Sequence, residues 1–139
     1  MPTLDQERIL TELDHARLSS LLARMANDGL PAGVEEAAQE LLDSVVTVPA
    51  REVAADVATM RSRVRLVTAD GEDMTVVLCY PAESNAATGQ ISVMSPLGLG
   101  LLGHRAGQSM HWQGPDRVRH EAVLAEIVYQ PEAAGDYGA

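Results

Sequence analysis

Three glycines, Gly98, Gly100 and Gly103, stand in the spacing Gly-x-Gly-x-x-Gly directly after a β-like run at 91–94. With that spacing a strand-to-helix turn can bring backbone amides up to a dinucleotide pyrophosphate. One reading of the segment is therefore a small-ligand site, with Ser95 and the following helix N-terminus holding a nucleotide phosphate in the Gly98 to Gly103 loop. Two histidines, His111 and His120, flank the turn Gly114-Pro115-Asp116. A four-residue loop there would set them opposite each other across a hairpin, the beginning of a metal site, but no third ligand of suitable spacing accompanies them. Two solvated histidines, and no metal, are expected. Arg61, Arg63 and Arg65 alternate along one stretch, with Arg117 and Arg119 elsewhere. They read either as a basic patch or as the solvated face of a strand. Cys79 is the single cysteine, which excludes a disulfide framework and a thiolate metal cluster.

The elements that must carry these groups fall into two halves. Up to residue 56 there are eleven acids and four arginines, and beyond it nine acids and six arginines. In the first half Leu18, Leu21, Leu22 and Met25 recur at helical spacing, with Thr11 as N-cap and Asp14 in the first turn. Asn27-Asp28-Gly29-Leu30-Pro31 breaks that helix. A second follows, with Val34, Ala37, Ala38, Leu41, Leu42 and Val45 on one face and Glu35 and Glu36 complementing its N-terminal dipole. The pair predicts a short antiparallel helical hairpin, roughly 20 Å long, which either packs on the rest of the chain or projects as an interaction arm. Residues 47–50 form the joint, dividing the chain into segments 1–48 and 49–139. Beyond it, 63–67 and 74–80 flank the turn Asp70-Gly71, and 91–94, 109–113 and 118 to 129 also read as strands. The expected class is α+β: a helical hairpin followed by an antiparallel sheet with one short helix.

That short helix follows Met94. Ser95 at the N-cap, Pro96 at the first helical position and Gly103 past the end frame about two turns. A dinucleotide fold needs a parallel βαβ unit of about 30 residues, whereas the next breaker, His104 to Gly107, arrives at once. Gly98 and Gly100 each weaken a helix by about 1 kcal/mol relative to Ala. Their presence points to close backbone approach, inside the domain or to a partner. The net charge of −10, with all ten basic residues Arg, does not suit neutralisation of nucleic-acid phosphates, and a basic protein surface fits it better. No membrane-spanning run and no signal segment are visible, so a cytoplasmic protein, a monomer without cofactors, is expected.

The string Ile91-Ser92-Val93-Met94-Ser95-Pro96-Leu97-Gly98 through Leu101-Leu102-Gly103, then Gly107 and the closing hairpin, resembles the C-terminal domain of the Gre transcript-cleavage factors. Leu13-Asp14, Arg17-Leu18, Leu21-Leu22 and Gly29-Leu30-Pro31 are similar to the regulator of nucleoside diphosphate kinase (Rnk) family, and so is the tail from Tyr129-Gln130-Pro131-Glu132 to Tyr137. The resemblance covers nearly the whole chain. It implies an FKBP-like C-terminal domain and a non-enzymatic regulator that binds bacterial RNA polymerase at its secondary channel. Ser95, Pro96, Leu97, Gly98 and Leu101 would belong to the docking surface, and the arginines would face an acidic helix of the polymerase. Gre factors stimulate RNA cleavage with an Asp-x-x-Glu pair at the tip of a long hairpin. Here the tip Asn27-Asp28-Gly29-Leu30 has no Glu three residues after Asp28, and Glu35 and Glu36 lie on the second helix. Occupancy of the channel without cleavage, and competition with Gre factors, is the implied behaviour. An FKBP-like fold also invites a prolyl-isomerase reading, for which Trp112 and three tyrosines are the aromatics available, with Met110 and Trp112 read more simply as core.

Overall fold

Thr11 Oγ1 accepts the Asp14 amide at 3.0 Å, and this cap converts a short strand, β1 (Ile9–Thr11), into α1 (Glu12–Met25). The computed structural model describes residues 8–25, 29–30, 33–113 and 118–137. α2 (Val34–Ser44) follows a left-handed Gly33, and β2 (Val46–Val48) then runs parallel to β1. His15 Nε2 donates to the Leu42 carbonyl at 3.2 Å, which ties the start of α1 to the end of α2. At 14 and 11 residues, the helices are about 21 and 16 Å long. None of the helices in the described residues is long and apolar enough to cross a membrane.

The second half begins with β3 (Arg63–Thr68) and β4 (Asp73–Cys79), an antiparallel hairpin closed at Gly71. β5 (Gln90–Ser92), α3 (Pro96–Leu101), β6 (Ser109–Gln113) and β7 (Arg119–Tyr129) complete it. The five strands lie in the order β5-β4-β3-β7-β6. The sheet is mixed rather than antiparallel throughout, because β5 pairs parallel to β4, with Val77 opposite Gln90 and Cys79 opposite Ser92. A parallel return normally needs a crossover of a dozen or more residues. Residues 80–89 suffice here because β5 is three residues long and the chain has only to step back to the level of Val77. Two 3-10 turns, Pro81–Glu83 and Ala86–Thr88, make that step.

Alternation along the strands puts Val64, Leu66, Val76, Leu78, Met110, Ala122 and Leu124 on one face. Leu18, Leu21 and Leu22 of α1, Val34, Ala38 and Leu41 of α2, and Leu99 and Leu101 of α3 join them in one continuous cluster. Residues on both sides of position 48 therefore share a single core. The helical pair packs on the sheet and is fastened there by polar contacts. Asp14, 2% exposed, accepts the Met60 amide at 3.1 Å, and Arg17 Nη1 donates to the Tyr80 hydroxyl at 2.8 Å.

Candidate functional site

The turn that begins α3 is held by its own side chains. Ser95 Oγ accepts the Gly98 amide at 3.1 Å and donates to the Ser92 carbonyl at 2.6 Å, while Pro96 occupies the first helical turn. A Cβ on Gly98 would lie 2.0 Å from Ser92 O, and one on Gly100 would lie 3.0 Å from His111 O. Gly103, at φ 87°, sits with its Cβ direction 3.0 Å from Ile9 O. The close approach that these glycines permit is thus to the chain's own backbone.

The dinucleotide reading is corrected at the same place. The Gly98 and Leu99 amides are already taken by Ser95, and β5 and β6 lie on opposite edges of the sheet instead of forming a parallel βαβ unit. Of the residues expected on a docking face, Ser95, Pro96 and Leu97 are half-buried with surface left over. Gly98 and Leu101 are buried, Leu101 completely, so they support this face from behind and are not part of it.

His111 and His120 do not meet. β6 and β7 pair His111 with Glu121 and Trp112 with His120, because the connection spans 114–118, one residue longer than a four-residue loop. A one-residue shift moves every side chain to the opposite face. His120 stacks on Trp112 instead, with ring centroids 5.4 Å apart and planes at 16°. Met110 is buried in the core, as expected, and Trp112 is half-buried against it. The turn residues 114–116 and Arg117 lie outside the described residues.

The arginine stripe is interrupted. Arg61 lies before β3 begins, at φ 67°, and pairs with Glu83 at 2.7 Å. Arg65 contacts Asp73 at 2.6 Å and Glu126 at 3.4 Å, and Arg119 contacts Glu121 at 3.2 Å. Arg63 makes no ion pair among the described residues. The outer face of the strand is therefore a mixed-charge surface. Glu35 and Glu36 stand exposed in the first turn of α2; Asn27 and Asp28 lie outside the described residues.

Two groups had no signal in the periodicity. Arg8 Nε donates to Leu102 O at 2.9 Å, and its Nη2 reaches both Leu99 O and Leu102 O, so a cation caps the C-terminal carbonyls of α3. Burial pulls its pKa down to about 10, which leaves it charged at neutral pH. His104, next to that guanidinium, is 7% exposed, and its Nδ1 has no hydrogen-bond partner among the described residues. Burial first, then the Arg8 charge, drop the His104 pKa to about 4, although the Gly100 and Leu101 carbonyls act the other way. Both side chains line a cleft of about 610 Å³ between α2, α3 and β6, with His111 and Trp112 also on its wall. The second group is the tail. Gln130 Nε2 donates to the Ala54 and Val57 carbonyls at 2.8 Å each, and Glu132 accepts Thr59 Oγ1 at 2.7 Å. The tail thereby clamps the irregular segment leading into β3.

Residues 53–129 match the family described as the C-terminal domain of transcription elongation factors GreA/GreB. The chain is 42% identical over 130 residues to the regulator of nucleoside diphosphate kinase of Escherichia coli strain K12, covering 93% of this chain and 94% of that one. The chain belongs to the GreA/GreB family. Another member, the transcription elongation factor GreA of Syntrophobacter fumaroxidans, is 40% identical over 57 residues, covering 41% of this chain and 36% of that one. A solved GreA/GreB elongation factor from Nitrosomonas europaea superposes with a TM-score of 0.72 at 26% identity, covering 88% of this chain and 100% of that one. In GreA/GreB terms, the matched segment is the five-stranded sheet with α3, while the relative from Escherichia coli extends the likeness through α1 and α2.

Proposed function

We propose that this GreA/GreB-family chain is a transcription regulator that acts on RNA polymerase without being an enzyme. It docks at the mouth of the secondary channel through the turn that opens α3 and occupies the channel without promoting transcript cleavage. The observation that carries this reading is the state of that turn. Ser95, Pro96 and Leu97 keep exposed surface on a backbone locked by the Ser95 cap and by the packing of Gly98 on Ser92. A rigid, half-exposed apolar corner loses little freedom on association. Helices of 14 and 11 residues reach about 21 Å at most, short for carrying carboxylates from the mouth to an active centre. Glu35 and Glu36 sit in an α2 first turn, where they complement the helix dipole.

The test has two arms. The purified chain should co-purify with core polymerase at low salt, and Leu97→Ala should weaken this several-fold while the chain still unfolds cooperatively. Added to backtracked complexes, the chain should shorten no RNA, and in excess it should slow cleavage driven by a Gre factor. Absence of binding at micromolar concentrations, or robust cleavage by this chain alone, would sink the reading.

A further inference from the structure

The cleft between α2, α3 and β6 has walls of two kinds. Val34, Ala37 and Leu41 of α2, Leu99 of α3 and Trp112 of β6 give it an apolar lining. Arg8 and His104 supply a polar wall. Its volume of about 610 Å³ falls within the range of roughly 300–1,000 Å³ common to small-molecule sites. Ala37 is exposed, so its methyl group leaves open a space that a longer side chain on α2 would fill.

Arg8 has no counter-ion in the chain. It gives Nε and Nη2 to the Leu99 and Leu102 carbonyls, and its Nη1 makes no hydrogen bond among the described residues. It forms no ion pair among them either, and burial alone pulls its pKa to about 10. The carbonyl end of a helix carries about half a negative charge at most, which balances only part of a guanidinium. His104 beside it adds no charge at neutral pH, because burial and the Arg8 charge hold its pKa at about 4. Glu40, the one acid on the cleft wall among the described residues, is exposed and makes no ion pair there.

We propose that this cleft binds a small molecule bearing one carboxylate on an apolar body, the carboxylate meeting Arg8 and the body lying against Leu41, Leu99 and Trp112. Nη1 has two N–H groups to give, and hydrogen bonds between two ionised groups are about twice as strong as neutral ones. A single negative charge balances a single guanidinium. A dianion would bring a second charge up to Glu40, on a chain whose net charge is already −10. Transfer of the apolar body from water to the lining drives the rest of the association.

Calorimetric titration of the full chain with cinnamate, cinnamamide and acetate tests the assignment. Saturable one-site binding of cinnamate is expected with a Kd of about 1 mM or below. Cinnamamide, which keeps the ring and loses the charge, should bind about tenfold more weakly, and acetate should give no saturable heat below about 10 mM. The ring signals of His104 in NMR spectra should shift as cinnamate is added, since that ring shares the cleft and feels the Arg8 charge. Arg8→Gln should remove the preference for cinnamate over cinnamamide. Arg8 also caps α3, so Ala37→Glu, a good helix former at an exposed position of α2, gives the independent variant. It sets bulk and negative charge on the cleft wall and should weaken cinnamate by about tenfold or more. No saturable heat with cinnamate, cinnamamide binding as tightly as cinnamate, or undiminished binding by Ala37→Glu overturns the proposal. No polymerase is present, so this result stands apart from the docking test.

Discussion

Asp14 and His104 are buried titratable groups with opposite signs, one fastening α1 to Met60 and the other behind α3. Burial raises the Asp14 carboxyl from 3.8 to about 6. The folded state therefore holds that proton more tightly, and the stability it contributes is full below 3.8 and lost as pH rises through about 6. His104 falls from 6.5 to about 4, so its contribution is full above 6.5 and lost as pH falls through about 4. Each shift corresponds to about 3 kcal/mol. In the window between pH 4 and 6.5 the two slopes oppose and largely cancel. Urea denaturation across that window should give a nearly flat profile for the native chain. Asp14→Asn should unmask stability that rises with pH, and His104→Gln stability that falls. Parallel profiles for all three proteins would refute the pairing. Gly98 offers a sharper residue-scale test. A methyl group 2.0 Å from Ser92 O cannot be accommodated without moving backbone on both sides. Gly98→Ala should therefore cost about 3 kcal/mol or more in denaturant unfolding.

At the scale of elements, the tail and the segment it clamps behave as one unit. Gln130 is 4% exposed and satisfies the Ala54 and Val57 carbonyls while accepting the Ala133 amide at 3.1 Å. Gln130→Ala strands these groups, each costing about 1–3 kcal/mol if it stays buried. The expected loss is about 2–4 kcal/mol, together with faster hydrogen exchange at 54–62 than in the strands. Tyr137, whose ring sits 5.4 Å from the Arg51 guanidinium at the surface, is worth far less. Tyr137→Ala should change stability by no more than about 1 kcal/mol. If the two substitutions proved equivalent in a denaturation series, the clamp would not be the tail's role.

Over the whole molecule, charge is distributed unevenly. The net value of −10 coexists with an arginine cluster at Tyr80 and with arginine–carboxylate pairs along the outer sheet. If the proposed docking brings this acidic chain to a basic surface, the approach is steered from a distance, and salt screens that steering to within a Debye length of about 10 Å at 0.1 M. On that proposal, the association rate with polymerase should fall by about tenfold or more between low and roughly 0.5 M salt, with a much smaller change in the dissociation rate. A salt-independent association rate in stopped-flow measurements would place the recognition entirely in the apolar corner at Pro96 and Leu97.

The sequence by itself determined what acts over a few residues. Thr11 capping Asp14, Ser95 and Pro96 opening α3, the Gly71 turn and the alternating strands all depend on contacts within a turn or on a period of two. The family likeness was legible for the same reason, in the string around Ser95-Pro96-Leu97-Gly98. Tertiary structure alone decided direction, register and side. Alternation carries no information on whether β5 runs with or against β4, and one extra residue in the 114–118 connection separated His111 from His120. Arg61 left its strand for the ring of Tyr80, and Leu101 turned inward, because packing against distant segments fixed their backbones. Arg8 caps a helix 94 residues away and Glu132 meets a threonine 73 residues away. No local pattern encodes those pairs, since apolar packing of distant segments brings the partners together and each hydrogen bond then offsets the cost of burying a polar group.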